Sequence, residues 1–221
     1  MSNSNDFILD AIDEPELGER IDMGKRNLFA RYAMPAAALS SAPLILAAAS
    51  SEAFAAGALP QKVVDVLNFA LTLEYLEAAF YKTGNGSSGL IPSEYRALFR
   101  TIGEHETAHV ALLQHALGSA AVKAPNVDFT AGGKYADVFS NFKTFATLSA
   151  TFEDLGVAAY KGQAGNLAGT PVLTTALQIH SVEARHAGAV RPIVGKASTI
   201  GAFDTPKSKA QVLAAAKPFL A

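Results

Sequence analysis

Two pairs of glutamates and histidines, set on an internal repeat, constrain this chain more than any other feature. EYLEAAFY holds Glu74 and Tyr81, EHETAH holds Glu106 and His109, EDLGVAAY holds Glu153 and Tyr160, and VEARH holds Glu183 and His186. The order is Glu-x6-Tyr, Glu-x-x-His, Glu-x6-Tyr, Glu-x-x-His. Glu74 and Glu153 lie 79 residues apart, and Glu106 and Glu183 lie 77 apart. Two similar helix pairs facing each other about a pseudo-twofold axis would produce this order.

The spacing has a physical basis. Seven residues is close to two helical turns, so each Glu shares a face with its Tyr. Residues three apart are side by side, so Glu-x-x-His offers an oxygen and a nitrogen to one ion. The host segments read as helices: 60–84, 93–118, 143–165 and 171–195. In the first, Val63, Leu67, Ala70, Glu74, Ala78 and Tyr81 follow a three–four spacing. Each segment would span roughly 35–40 Å. Gly/Ser-rich residues 84–89 and a short AGTP break join neighbours, and a long stretch, APNVDFTAGGKYAD, joins the second to the third. We read that stretch as a crossover with a short helix near Val138–Phe142. The expected fold is therefore all-α: a four-helix bundle with one long crossover between helices two and three. A short C-terminal helix lies in SKAQVLAAAKPFLA.

Four glutamates on an apolar seam are very costly as bare charges. Two divalent cations would bring four positive charges against four negative ones. Carboxylate and imidazole donors suit iron or manganese. The chain has no Cys, which excludes disulfides, thiolate metal sites and iron–sulfur clusters within it. A reductive cycle would then need an external electron donor, whereas peroxide disproportionation needs none.

The stretch from about Pro60 to Gly195 resembles the ferritin-like superfamily. Within it, NFALTLEYLEAAFY and HSVEARHAGAVR resemble the ferritin-like-domain proteins that include desiccation-related relatives. The resemblance implies two metal ions, iron or manganese, held by Glu74, Glu106, His109, Glu153, Glu183 and His186, with Glu106 and Glu183 as the bridges. It implies oxygen or peroxide as candidate substrates, in oxidase, peroxidase or catalase-like chemistry, or the oxidation of a metal ion. The alternative is a stress or desiccation structural protein whose metal site is absent or only stabilising. A storage cage would need an assembly of many chains, and the sequence leaves the oligomeric state open.

Around the ligands, Tyr81 and Tyr160 are candidate hydrogen-bond partners of ligand carboxylates. Glu77, one turn from Glu74, is expected beside the site as a neighbour, with an extra ligand as the alternative. His180 forms an H-x-x-E-x-x-H stripe with Glu183 and His186. It is a candidate supporting or supplementary residue, with a hydrogen-bonded core histidine as the rival reading. His105, Glu104 and Asp154 adjoin ligands in sequence and are expected to point elsewhere. His115 falls near a helix end, where a cation favours the dipole.

Charge divides the chain. Residues 1–22 carry seven acids and one base, whereas from Ala56 onward 14 Lys/Arg face 12 Asp/Glu. Nothing in that balance suggests nucleic acid. After the acidic stretch come Lys25, Arg26 and Arg31, an Ala-rich apolar run over 33–49 broken by Pro35 and Pro43, and Ala53-Phe54-Ala55. The run is too short and broken for a membrane span. KRNLF resembles the core of a twin-arginine export signal, with Lys25 in place of the first arginine. Residues 1–55 are thus expected to be an acidic extension and an export signal cleaved near Ala55, with a periplasmic or otherwise exported product. An amphipathic helix packed on the domain or a partner is the alternative. The bundle is expected over 56–200, and a tail with a short helix over 201–221.

Overall fold

A computed structural model describes residues 59–221; the expected acidic extension and export signal, 1–55, lie outside the described residues. Five α-helices account for most of the described chain: α1 Gln61–Gly86, α2 Arg96–Leu117, α3 Phe142–Gln163, α4 Val172–Val190 and α5 Lys209–Ala216. The only β pairing among the described residues is an isolated antiparallel bridge between Val127 and Leu220. The first four form the expected all-helical bundle, α1 packing chiefly on α2 and α3 on α4. No helix of the described residues is long and apolar enough to cross a membrane.

The helix ends follow local chemistry. Pro60 stands before the first turn of α1 and its carbonyl accepts from the amides of Val63 and Val64. A 3₁₀ turn, Ser93–Tyr95, leads into α2, and another, Arg191–Val194, closes α4 at Pro192, whose ring removes a backbone donor.

The crossover differs from expectation at Val138–Phe142, which is not a short helix. Residues 129–140 are turns, and Phe142 is the first residue of α3. Asn141 has extended backbone, and its side chain accepts from the amides of Lys143 and Thr144, so it caps α3. Upstream, Asp128 accepts from the amides of Thr130 and Gly132, folding that segment into a tight turn.

The C-terminal segment is part of the core. Ser208 and Gln211 form a capping box at the start of α5. Val212, Ala216 and Phe219 are buried, and the Phe219 ring meets Phe152 edge-on at 4.9 Å. The amide of Asp128 donates to the Phe219 carbonyl and that of Ala221 to the Asn126 carbonyl, so the crossover and the C-terminus hold each other. Before α5, the Lys207 amide donates to the Ala158 carbonyl, and the Lys207 carbonyl lies so close to Gly162 that a Cβ there would collide with it.

Along α2 and α4 the interior is layered. One end is aromatic, built on Phe80, Phe99, Phe145 and Phe152, and the other is aliphatic, with Val63, Leu67, Leu113 and Ile179. On α2, Phe99 and Ile102 belong to the first end and Leu112, Leu113 and Leu117 to the second. On α4, Val172, Ala176 and Ile179 precede the change and Val190 follows it. Between the two ends lie Glu106, His109, Glu183 and His186, all buried.

Candidate metal centre

Each of the four long helices sends its repeated acidic residue into this middle layer. Glu74, Glu106, Glu153 and Glu183 are fully buried, and His109 and His186 nearly so. Two groups of four form, one of Glu74, Glu106, His109 and Glu183, the other of Glu106, Glu153, Glu183 and His186. Within each group one donor atom per residue lies within 4.8 Å of all the others. Glu106 and Glu183 belong to both groups. All six sequence-predicted ligands therefore come together, with the two glutamates of the Glu-x-x-His pairs shared.

Both histidines turn Nδ1 inward. Three carboxylate oxygens, from Glu74, Glu106 and Glu183, lie 3.2 Å from His109 Nδ1. His186 Nδ1 is 2.9 Å from Glu106 Oε1 and 3.2 Å from Glu153 Oε2. A single ring nitrogen has one proton or one lone pair and cannot satisfy three acceptors at once. Glu106 Oε1 and both oxygens of Glu183 are buried without a hydrogen bond among the described residues. Convergent, unsatisfied oxygens beside inward nitrogens are what a cation pair would complete, so these residues fit two metal ions.

Without a cation, protons must balance the charge. Burial, reinforced by Glu106, pushes the Glu183 carboxyl well above the usual carboxylate range. Burial raises Glu106 to about 7, with the neighbouring His109 and His186 rings working against it. At His109 burial favours the neutral ring, but Glu74 and the other carboxylates overcome it and hold the imidazolium well above its ordinary range. At His186 burial also pulls downward and is overcome by Glu106 and Glu153, which raise it to about 10. Burial would raise Glu74 too; the His109 charge wins, and Glu74 stays below its ordinary value.

The tyrosines act crosswise. Tyr160 of α3 donates to Glu74 of α1 at 2.5 Å, and Tyr81 of α1 donates to Glu153 of α3. Glu74 and Glu153 are thus each held by the tyrosine of the opposite helix, a pairing that shared faces alone do not reveal. Ser149 Oγ lies 2.5 Å from Tyr81 Oη, a partner the sequence reading missed.

Glu77 is buried beside the centre but belongs to neither group of four. Its register equivalent on α3, by the 79-residue step, is Gly156. A Cβ at Gly156 would lie 2.9 Å from Glu183 Oε2 and 3.4 Å from Glu77 Oε1. The missing side chain on α3 leaves the space that the extra carboxylate on α1 and the shared Glu183 approach. Burial and Glu183, followed by the other carboxylates, raise Glu77 well above the ordinary range.

His180 is not among these residues. Its Nε2 lies 3.8 Å from Asp204 Oδ2, towards the segment before α5. Six residues at 100° each leave it about 120° around α4 from His186, so the stripe curls away from the site. His105 departs from expectation in the opposite sense. Its Nδ1 lies 2.9 Å from His186 Nε2, and the rings are nearly parallel at 16°. Adjacency to Glu106 does turn it around α2, but that direction meets the outer edge of the α4 histidine. Burial, then His186, holds its own pKa down to about 4. Asp154 points elsewhere as expected, taking a 2.6 Å ion pair from Arg191, and Glu104 and His115 are exposed.

A family model described as the ferritin-like domain matches residues 62–196. No curated protein matches the chain.

Proposed function

The chain belongs to the ferritin-like domain family, and from that premise we propose that it is an exported dimetal carboxylate protein, holding iron or manganese and oxidising a metal ion or handling oxygen or peroxide. The observation that carries the reading is the pair of four-residue groups sharing Glu106 and Glu183. A bundle kept only for its shape would gain stability from apolar residues at these positions, because buried charges are costly even when paired. Five carboxylates in one buried layer speak for retention by chemistry. Export rests on the basic, apolar and small-x-small order of residues 25–55.

Glu74 and His109 would hold one ion, Glu153 and His186 the other, and Glu106 and Glu183 both. Such a pair, when bound, supplies one-electron oxidation and reduction to oxygen, peroxide or a further metal ion. The protein's residues do the rest. Tyr160 and Tyr81 fix the terminal carboxylates through their hydroxyl protons. The apolar layers above and below keep bulk water out, which strengthens every electrostatic interaction inside. Peroxide disproportionation runs on this alone, and a reductive cycle would take electrons from an outside donor.

Elemental analysis of protein isolated from its native compartment tests the reading. Two iron or manganese ions per chain are expected. Glu183→Ala should leave far fewer than two, Glu74→Ala should cost chiefly one, and Glu77→Ala should keep both. Wild-type protein that takes up less than one ion per chain from excess Fe(II) or Mn(II) would sink the dimetal assignment. A full-length intact mass for the native protein would sink cleavage at Ala55.

A further inference from the structure

The two ion positions are built on a repeat, yet the repeat fails at one place that touches a ligand. One residue before Glu106 stands His105, and one residue before Glu183 stands Val182. His105 Nδ1 meets His186 Nε2 at 2.9 Å. The outer nitrogen of His109 has no hydrogen bond among the described residues, and valine offers no acceptor. Only one of the two histidines therefore has its outer nitrogen engaged by a side chain.

The chemistry of an imidazole ligand makes this difference matter. With Nδ1 turned to the carboxylates, its lone pair must face the ion and its proton must sit on Nε2. That N–H then donates to His105 Nδ1, which in turn must carry its own proton on Nε2. The bond selects the tautomer, fixes the ring plane and makes the inner nitrogen a better donor. We propose that His105 is a positioning residue that makes the two ion positions unequal, so that the position of Glu106, Glu153, Glu183 and His186 binds the more tightly and fills first. The inference rests on the dimetal reading and deepens it: the centre loads in a set order, from the His105 side.

His105 lies on the rim of the layer with much of its surface exposed, and its ring packs only on the outer edge of His186, so replacing it leaves the apolar core in place. The test is calorimetric titration of metal-free protein with Mn(II), paired with nitrogen-15 histidine NMR during stepwise addition of diamagnetic Zn(II). In the wild type the His186 signals should move in the first equivalent and those of His109 in the second. His105→Val, which copies the α4 register, should weaken the first step about 10–100-fold, the range found when such outer partners of metal ligands are removed. The second step should stay within about twofold, and both ions should still bind. His105→Asn, whose amide oxygen can stand where Nδ1 stood, should restore the first step. Simultaneous movement of both histidines in the wild type, or an unchanged first step in His105→Val, would overturn the proposal while leaving the dimetal reading intact. Failure of the wild type to bind two ions would strike the dimetal reading instead.

Discussion

Replacing Gly156 by alanine asks whether Glu183 is a shared ligand. The added Cβ would sit 2.9 Å from Glu183 Oε2, 0.5 Å short of the 3.4 Å at which ordinary contact begins. In metal-free protein the change should be mild. Alanine improves the α3 helix by about 1 kcal/mol over glycine, and crowding a packed site costs about 1–3 kcal/mol. The net loss is at most about 2 kcal/mol, because a carboxylate end can yield. Metal binding is less forgiving, since ligand distances hold to within about 0.2 Å and the shift is more than twice that. If both affinities fall tenfold, each ion loses about 1.4 kcal/mol. At free metal a hundred times the wild-type Kd, each ion stabilises the wild type by about 2.7 kcal/mol. For a domain of this size 1 kcal/mol moves Tm by about 2–4 °C. The metal-induced rise should therefore shrink from roughly 10–20 °C to about half of that. Paired calorimetric melts with and without Mn(II), for wild type and variant, read it directly. A full metal-induced rise in Gly156→Ala would show that Glu183 does not bridge.

Two further outcomes follow from the same layer. Metal-free protein should lose stability as pH rises from about 6.5 towards 10: the His186 pKa is raised to about 10 in the folded state, so its contribution is complete below its unfolded value and vanishes as the folded group titrates. Metal affinity should rise over the lower part of that range as ligands deprotonate, so melts of the two forms should diverge with pH; parallel curves would refute the proton balance described for the centre. Tyr160→Phe should loosen the ion held by Glu74 and Tyr81→Phe the ion held by Glu153, each at a cost of about 1–3 kcal/mol to the fold or to binding. Site-resolved Zn(II) titration by NMR would check it, and the opposite assignment would contradict the crosswise pairing.

The six residues that meet in the buried layer were legible in the sequence because helix geometry is rigid: a step of three or seven residues names a shared face wherever it occurs. The same rule told nothing of partners brought by another helix. Tyr81 reaches Glu153 rather than its own Glu74, Ser149 joins Tyr81, and His105 meets His186, all across gaps that depend on how two helices cross. His180 failed for a related reason, since the i, i+3, i+6 stripe drifts around the helix and its last member leaves the face. The crossover departs from a helix at Val138–Phe142 because Asn141, a residue equally at home in a turn, turns its side chain to the Lys143 and Thr144 amides and caps α3 instead. Burial of Phe219 in the aromatic end depends on the crossover folding back over α3, which no local pattern announces.

The layered interior bears on how an ion could enter so buried a place. On α2 and α4 apolar packing from different clusters grips the helix on either side of the charged residues. In metal-free protein that layer holds protons and mutually repelling carboxylates, while the aromatic and aliphatic ends stay attractive. The weakest stretch of α2 and α4 is then the waist. Parting there leaves both ends clasped, so the interior can exchange protons for cations without fraying. Amide hydrogen exchange would map such breathing as a band of lower protection at mid-helix, closing once the ions are in.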